Sequence, residues 1–227
     1  MIAAREPPRQ LALALDHHES FARHDFLEGS SNAAALALIE RWPDWPTRMV
    51  AMVGPQGSGK SHLAAIWAAR SGARCLSARE LDEASVRSAL ATGALVIENV
   101  GDPLDEVALF HLLNLAHEEG AYVLLTARAA PAEWPIALRD LASRLRALPV
   151  VRLTAPDDRL LRAVLVKLFA DRQLAVDEGL ISYLTTRIER SFAGAGAAVA
   201  ALDREALRQQ RPVTRALAGE VFRDHTA

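Results

Sequence analysis

The chain has 227 residues, of which 51% are hydrophobic and 24% are charged, and its formal net charge is -2. This length and composition suit one domain, or one domain with a small appendage, and the near-neutral charge gives no general electrostatic attraction to nucleic acid. The single cysteine, Cys75, excludes an internal disulfide framework, and no apolar run has signal-peptide or transmembrane length. We therefore expect a cytoplasmic protein that makes no membrane contact.

The predicted elements alternate between strands and helices over most of the chain. A polar, proline-bearing arm comes first, and a helix is expected to run from Ser30 or Ser31 to Arg41. The predicted strands cover residues 48–53, 74–77, 94–100, 122–126 and 150–153. The predicted helices between them cover residues 62–70, 81–91, 106–119 and 138–145. This alternation predicts an α/β domain with a mainly parallel sheet.

The pattern changes after Pro156, where apolar residues recur at helical spacing. Four helices are predicted there, and a capping residue precedes each one: Asp157 or Asp158, Asp177, Ser191 and Thr214. We therefore predict three parts, which are an arm over residues 1–15, an α/β domain over 16–155 and an all-helical domain over 156–227.

One segment carries a phosphate-binding motif. The eight residues that match G-x-x-x-x-G-K-[ST] without a mismatch are Gly54, Pro55, Gln56, Gly57, Ser58, Gly59, Lys60 and Ser61. They follow a predicted strand and open a predicted helix, which is the setting that the motif requires. Glycines let backbone N–H groups turn toward phosphate oxygens, and the helix start favours an anion. Lys60 is expected to reach the terminal phosphates and Ser61 to hold Mg²⁺.

Polar residues lie at the ends of the third and fourth predicted strands. The apolar strand before Glu98 and Asn99 stands in the Walker B place, so Glu98 is expected to act on Mg²⁺ through bound water. Asn99 cannot accept a proton as a carboxylate does, which predicts slow or absent intrinsic hydrolysis. Thr126 ends the following strand and is placed to contact a γ-phosphate, although a plain strand-end threonine explains it equally well.

Together these segments resemble the AAA+ proteins of the DnaA/Hda family, over Gln10 to Phe222. The resemblance implies a P-loop AAA+ core with a parallel sheet flanked by helices and a small C-terminal all-helical lid domain, with ADP or ATP and Mg²⁺ bound. The stretch from Asp25 to Asn32 is similar to the family's segment beside the adenine, which assigns Phe26 and Leu27 to the nucleotide. His62, directly after the phosphate loop, is assigned there too.

The resemblance also implies two protein partners. Near the N-terminus, a segment is similar to the family's sliding-clamp-binding peptide, and its contact residues are Gln10, Leu11, Leu13 and Leu15. Arg144, within Asp140 to Leu145, is similar to the arginine finger, which acts in trans on ATP held by DnaA. Because the sequence stops after the lid, it resembles the shorter regulatory members rather than the initiator, and we expect no direct sequence-specific DNA binding. Self-association as a homodimer stays open.

One departure from the family bears on activity. The family's lid arginine falls near Ala193, and alanine cannot contact phosphate, while Arg190 lies three residues away. The main alternative is a self-sufficient AAA+ ATPase, such as a helicase loader or another DnaA-like replication ATPase, and Asn99 and Ala193 both weigh against it. A small-molecule P-loop kinase needs an acceptor site and a basic lid, and the sequence shows neither.

Overall fold

The computed structural model describes residues 21–101 and 103–222. Five parallel strands form one sheet in the order β2-β3-β4-β1-β5. The strands are β1 (Met49–Val53), β2 (Arg74–Ser77), β3 (Ala94–Val100), β4 (Tyr122–Ala127) and β5 (Val150–Arg152). The predicted fold class, an α/β core with a parallel sheet and a helical C-terminal region, is confirmed.

Nine helices accompany the sheet in the described part of the chain. They are α1 (Ala33–Arg41), α2 (Lys60–Ser71), α3 (Val86–Ala89), α4 (Glu106–Glu119), α5 (Arg139–Arg146), α6 (Asp158–Asp171), α7 (Glu178–Thr185), α8 (Phe192–Gln209) and α9 (Arg215–Val221). Among these helices none is both long enough and apolar enough to cross a bilayer.

Helices cover the sheet on both faces. Successive β1 residues alternate between two hydrophobic clusters: Ala51 and Val53 pack with residues of α4 and α5, and Val50 and Met52 pack with residues of α1 and α2. Because neither face of the three central strands meets water, β1, β3 and β4 are mainly continuous apolar runs rather than alternating ones. The apolar runs that predicted these strands are therefore explained by burial on both sides.

The predicted helix over residues 81–91 was too long. The structure has a 3₁₀ turn at Ala78–Glu80 and confines α3 to Val86–Ala89. The Asp82 carboxylate accepts a hydrogen bond from the Ser85 N–H at 2.8 Å, and the Asp82 N–H donates to the Ser85 hydroxyl at 3.0 Å. This reciprocal pair gives the backbone an alternative to helical hydrogen bonds. Hydrogen bonds from the Ser85 backbone and side chain lower the pKa of the Asp82 carboxyl.

The four C-terminal helices begin at the predicted caps. Side chains of Asp157, Asp177, Ser191 and Thr214 each accept a hydrogen bond from the backbone of the first helical turn. Asp157, and not Asp158, caps the first of them. These helices enclose their own hydrophobic cluster around the fully buried Phe169, and no residue of that cluster precedes Leu161 among the described residues. We call this unit the lid and the sheet with its helices the core.

Candidate functional site

The phosphate loop lies at the carboxyl end of the sheet. It follows β1 and ends where α2 begins at Lys60, and its first N–H, from Gly54, donates to the Ala127 carbonyl at 3.1 Å at the end of β4. Parallel α/β sheets bind ligands at this edge. Pro55 and Gln56 are exposed, whereas the Ser58 hydroxyl is buried and has no hydrogen-bond partner within residues 21–101 and 103–222.

A cleft of roughly 1220 Å³ opens above the loop, between core and lid. Nine of the residues that the sequence assigned to nucleotide or catalysis line it: Phe26, Leu27, Gln56, Gly57, Gly59, Lys60, Ser61, His62 and Asn99. The lid contributes Val164, Lys167, Phe192 and Ala193, among others, to the opposite wall. The structure therefore brings most of the assigned residues to one ligand-sized space.

Lys60 is held inside the loop. Its ammonium donates to the carbonyls of Gly54 and Pro55, both at 2.8 Å, and the residue is only 8% exposed. Burial lowers the pKa of Lys60, the nearby Arg128 charge lowers it further, and the Glu98 carboxylate opposes both. A partly desolvated cation with neutral partners is stabilised by an incoming anion.

The lid contacts the loop directly at Gly57. The Phe192 N–H, at the start of α8, donates to the Gly57 carbonyl at 2.8 Å. Gly57 has φ of +70°, and a Cβ there would lie 2.8 Å from the Ser191 Cβ. Only glycine satisfies both the left-handed backbone and the close approach of the lid. The sequence predicted the helix and its Ser191 cap but not this contact.

An aromatic slot forms a further part of the cleft. The His62 ring meets Phe26 and Phe21 edge to face, with ring centroids 5.1 and 5.3 Å apart. Leu27 lies beside them, and its carbonyl accepts a hydrogen bond from the Asn32 side chain at 3.0 Å. Flat apolar surfaces with few polar groups suit a purine ring.

Lys167 joins core and lid at this end. From α6 it contacts the Asp25 carboxylate at 2.8 Å and the Asp171 carboxylate at 2.7 Å. Burial works against its charge, but the hydrogen bonds to the two carboxylates outweigh this and raise the pKa of Lys167. The ion pairs therefore hold the lid near the aromatic slot without supplying charge to the phosphate end.

The end of β3 is irregular at its two polar residues. The register between β3 and β4 shifts between Ile97 and Val100, and Asn99 has φ of +57°. The Asn99 N–H donates to the Thr126 hydroxyl at 3.2 Å, and Thr126 is only 1% exposed. The Thr126 hydroxyl therefore supports the bend in β3, and the residue does not line the cleft.

Glu98 differs from its neighbours because one of its carboxylate oxygens is buried without a hydrogen-bond partner among the described residues. Its charge acts on both Lys60 and Cys75, whose thiol pKa is raised by burial first and by this carboxylate second. Residues 21–101 and 103–222 contain no group of three or more His, Cys, Asp and Glu side chains that could hold a metal ion by themselves.

Sequence reasoning missed Arg128, which follows β4 directly. Its guanidinium donates to the Gln56 side-chain oxygen at 2.8 Å, so it crosses the mouth of the phosphate loop. No motif in the neighbouring residues identifies Arg128, because Gln56 is distant in sequence and the two residues meet only through the pairing of β1 with β4. A cation directly after a strand that neighbours the phosphate loop is the signal that could have found it.

Two residues that the sequence analysis singled out, Arg144 and Ala193, bring no polar group to the cleft. Arg144 is exposed on α5, does not line the cleft, and stacks over the Phe110 ring at 5.4 Å. Ala193 lines the cleft with a methyl group only, while Arg190 pairs with Asp158 on the lid surface. The predicted clamp-binding residues Gln10, Leu11, Leu13 and Leu15 lie outside the described residues.

Comparison with known proteins defines the class. No family model and no curated protein matches the chain. Among solved structures, the AAA domain of FIGL-1 in complex with ADP is similar, with a TM-score of 0.62 at 16% identity over 79% of this chain and 72% of that one. With the loop, parallel sheet and helical lid, this likeness gives the chain the AAA+ fold.

Replication initiators share this fold with the chain. Domain III of DnaA from Thermotoga maritima has a TM-score of 0.75 at 16% identity, over 90% of this chain and 96% of that one. AMPPCP-bound DnaA from Aquifex aeolicus has a TM-score of 0.65 at 16% identity, over 84% of this chain and 69% of that one. At these identities the likeness establishes the fold alone.

Proposed function

We propose that the cleft binds an adenine nucleotide, ADP or ATP. The observation that carries this proposal is the complete phosphate loop with the buried Lys60 ammonium at its centre, facing an aromatic slot formed by Phe26 and His62. The loop amides and the ammonium suit phosphates, and the slot suits the base. The similar structures named above include one bound to ADP and one bound to AMPPCP.

Mg²⁺ fits the same end of the cleft. It prefers hard oxygen ligands and keeps several waters, so a protein supplies only one or two groups beside the phosphates. Ser61 lines the cleft, and Glu98 has one buried carboxylate oxygen with no hydrogen-bond partner in the described part of the chain. When bound, Mg²⁺ neutralises charge on the phosphate oxygens. We propose Ser61 as a direct ligand and Glu98 as acting through bound water.

The chain's own hydrolysis is proposed to be slow. A water-activating group at the end of β3 needs a carboxylate, and Asn99 has an amide there. The lid presents Ala193 where the resembling family has an arginine, so it adds no positive charge to the phosphates. Nucleotide would then serve mainly to fix the lid against the core, through contacts such as Phe192 to Gly57.

We further propose that the chain is an Hda-like regulator of replication initiation, which stimulates ATP hydrolysis on DnaA. A finger that acts in trans must be exposed and lie away from its own nucleotide. Arg144 meets both conditions, and no acidic side chain among the described residues pairs with it. A guanidinium that reaches the partner's γ-phosphate stabilises transition-state charge and accelerates hydrolysis by about 10³–10⁵ in known cases.

The clamp-binding part of this proposal is supported by the sequence alone. An extended peptide places Leu11, Leu13 and Leu15 on one face, which suits an apolar pocket on the sliding clamp, and Gln10 anchors the other end. Tethering to the clamp would raise the local concentration near DnaA. Bound ADP is proposed to set the angle between lid and core and so control access to Arg144.

The test is a reconstitution with sliding clamp, DNA and ATP-loaded DnaA, scored by ADP production. Arg144→Ala is expected to remove most of the stimulation while clamp pull-down and ADP binding stay at wild-type levels. Arg146→Ala, an exposed arginine on the same helix, is the matched control and should stimulate normally. Equal stimulation by Arg144→Ala and wild type would contradict the finger. Replacing both Gln10 and Leu11 with alanine should abolish clamp pull-down.

The second candidate is a self-sufficient AAA+ ATPase, such as a helicase loader. The retained Glu98 carboxylate favours it, because that carboxylate lies close enough to act on Lys60. Steady-state hydrolysis by the isolated protein separates the two functions. Turnover at the rate of ordinary ATPases without DnaA would favour this candidate over the regulator.

A further inference from the structure

Three arginines of the lid gather around two neighbouring residues of α7, Ser182 and Tyr183. The Arg187 guanidinium lies over the Tyr183 ring, with its Cζ 4.2 Å from the ring centroid, and the Cζ of Arg215 lies 5.6 Å from the same centroid. From α6, Arg162 donates to the Ser182 hydroxyl at 2.9 Å. We call these three arginine side chains the arginine cluster. None of them lines the cleft, so nucleotide binding does not account for them.

The positive charge of the arginine cluster is not compensated within the described residues. Most other cations of the lid form ion pairs with carboxylates, namely Lys167, Arg172, Arg190, Arg208 and Arg211. The three arginines of the cluster form no ion pair with any carboxylate that the structure describes. Arg187 and Arg215 are also exposed. A surface with several unpaired cations attracts an anionic ligand.

We propose that the arginine cluster binds the phosphate backbone of duplex DNA without reading its sequence. A guanidinium can donate paired hydrogen bonds to two oxygens of one phosphate. Because Arg187 and Arg215 contact the same ring, their guanidinium groups lie within roughly 10 Å of each other. Along each strand one phosphate follows another about every 3.4 Å of helix axis, so two groups this close can engage nearby phosphates of one duplex.

Tyr183 positions the cluster and does not itself contact the phosphates. Its side chain packs against the hydrophobic cluster of the lid, and its ring attracts a guanidinium that lies over its face. This contact orders Arg187 before DNA arrives and leaves the edge of the guanidinium available for phosphate oxygens. Because the half-buried ring is covered by Arg187, it offers little room for an unpaired base to stack. The site therefore suits a duplex backbone better than a single strand.

The surface around the cluster favours DNA over a protein partner. Protein interfaces are built around apolar or aromatic anchors that become buried. The large apolar side chains that the described lid exposes are Val166 and Leu207, which belong to α6 and α8, and neither α7 nor α9 exposes one. The backbone of a duplex is a row of phosphates, and contacts to it need no apolar anchor.

The experiment measures the binding of a short fluorescein-labelled duplex by anisotropy over a range of salt concentrations, without clamp, DnaA or nucleotide. Wild type is expected to bind with a Kd of about 10⁻⁴–10⁻⁶ M at physiological salt. Replacing both Arg187 and Arg215 with alanine should weaken binding by about 10-fold or more at low salt, equally for two duplexes of unrelated sequence. The slope of log K against log salt should become shallower by about 2, because two phosphate contacts are lost.

Two controls separate a site from general charge. Replacing both Arg159 and Arg204 with alanine removes the same charge from exposed arginines of α6 and α8, which form no ion pair within the described part of the lid. This variant should bind DNA within about 2-fold of wild type. Tyr183→Phe keeps the ring and should match wild type, whereas Tyr183→Leu should weaken binding by about 3-fold. Thermal unfolding shows that each variant is folded.

Several outcomes would overturn the inference. Absence of DNA binding by wild type at low salt is one, and equal weakening by the two double variants is another, since it would show attraction without a site. Vesicles that contain phosphatidylserine distinguish a membrane surface. If wild type binds them more tightly than the duplex, and loses them on replacement of Arg187 and Arg215, the cluster is a lipid contact instead. Because the assay contains no nucleotide, its result stands whether or not the cleft binds ADP or ATP.

Discussion

The two walls of the cleft differ in chemistry. The core wall holds the cations Lys60 and Arg128 at the phosphate loop, and the Glu98 carboxylate lies close enough to act on Lys60. The lid wall meets the same loop with the aromatic ring of Phe192 and the methyl group of Ala193. Of the two cations that the lid brings to the cleft, Lys167 pairs with the Asp25 and Asp171 carboxylates and Arg172 with that of Asp203.

This difference indicates separate tasks for the two walls: the core wall suits phosphate recognition, and the lid wall suits closure of the cleft. Charge–charge recognition of phosphates depends on positions fixed by β1, β4 and the loop, which are rigid parts of a sheet covered on both faces. Among the described residues, the lid contributes to the loop the packing of Phe192 and Ala193 and one hydrogen bond. We therefore expect a nucleotide to bind mainly to the core and the lid to respond to it, which is the arrangement of a conformational signal rather than of a rapid turnover enzyme.

The largest expected effect tests the core wall. Lys60→Ala removes the ammonium that bonds the Gly54 and Pro55 carbonyls and faces the phosphates, and we expect ADP affinity to fall by about 100-fold or more. Titration with a fluorescent ADP analogue measures this. Unchanged affinity would show that the loop is not the phosphate site and would remove the basis of the comparison.

An intermediate effect tests the lid contact. Gly57→Ala adds a Cβ 2.8 Å from the Ser191 Cβ and strains a backbone at φ +70°. Gly72→Ala is the matched control, since Gly72 has the same φ but nothing within 4 Å of an added Cβ. Both should lose about 1–2 kcal/mol of stability from backbone strain.

Only Gly57→Ala should also push the lid away and weaken ADP binding, by about 10-fold. Thermal unfolding and ADP titration of both variants check this. If the two variants lose nucleotide affinity to the same extent, the lid plays no part in binding. The core wall alone would then bind the nucleotide.

The smallest effect concerns the ion pairs at the aromatic end. Lys167→Met is expected to cost less than about 1 kcal/mol at neutral pH, because the paired carboxylates are partly exposed. The pKa of Lys167 is raised in the folded state, so its contribution is present below the ordinary value of 10.5 and is lost as pH rises through the folded value. Urea unfolding at neutral pH and above pH 10.5 should show the difference between variant and wild type shrink. A difference that grows with pH would contradict the assignment.

Most of the fold could be predicted from the sequence because local signals agreed with the tertiary environment. β2, β3 and α4 have the bounds that the sequence predicted, the last because Gly120 ends it in a left-handed conformation. The helix over 81–91 failed because apolar spacing alone does not reveal the competing Asp82–Ser85 hydrogen bonds. Prediction from the spacing of apolar residues is weakest where side chains form hydrogen bonds with the nearby backbone.

The candidate site was predictable where chemistry is encoded in contiguous residues, as in the phosphate loop. It was not predictable where two distant segments meet. The bond between Arg128 and Gln56 depends on the pairing of β1 with β4, and the contact of Phe192 with Gly57 depends on how the lid folds back. Neither has a signature in a window of neighbouring residues. The role of Thr126 likewise depended on the bulge at Asn99, which sequence periodicity cannot show.

That bulge has a consequence for any attempt to turn the protein into an efficient hydrolase. Asn99 occupies a left-handed conformation with φ of +57°, which asparagine tolerates better than most residues. Installing glutamate there would supply a carboxylate at the cost of about 1–2 kcal/mol of backbone strain. Aspartate, which shares the tolerance of asparagine, is the less costly replacement but has a shorter reach. The backbone conformation at residue 99 thus makes it difficult to raise the rate of hydrolysis by a single substitution there.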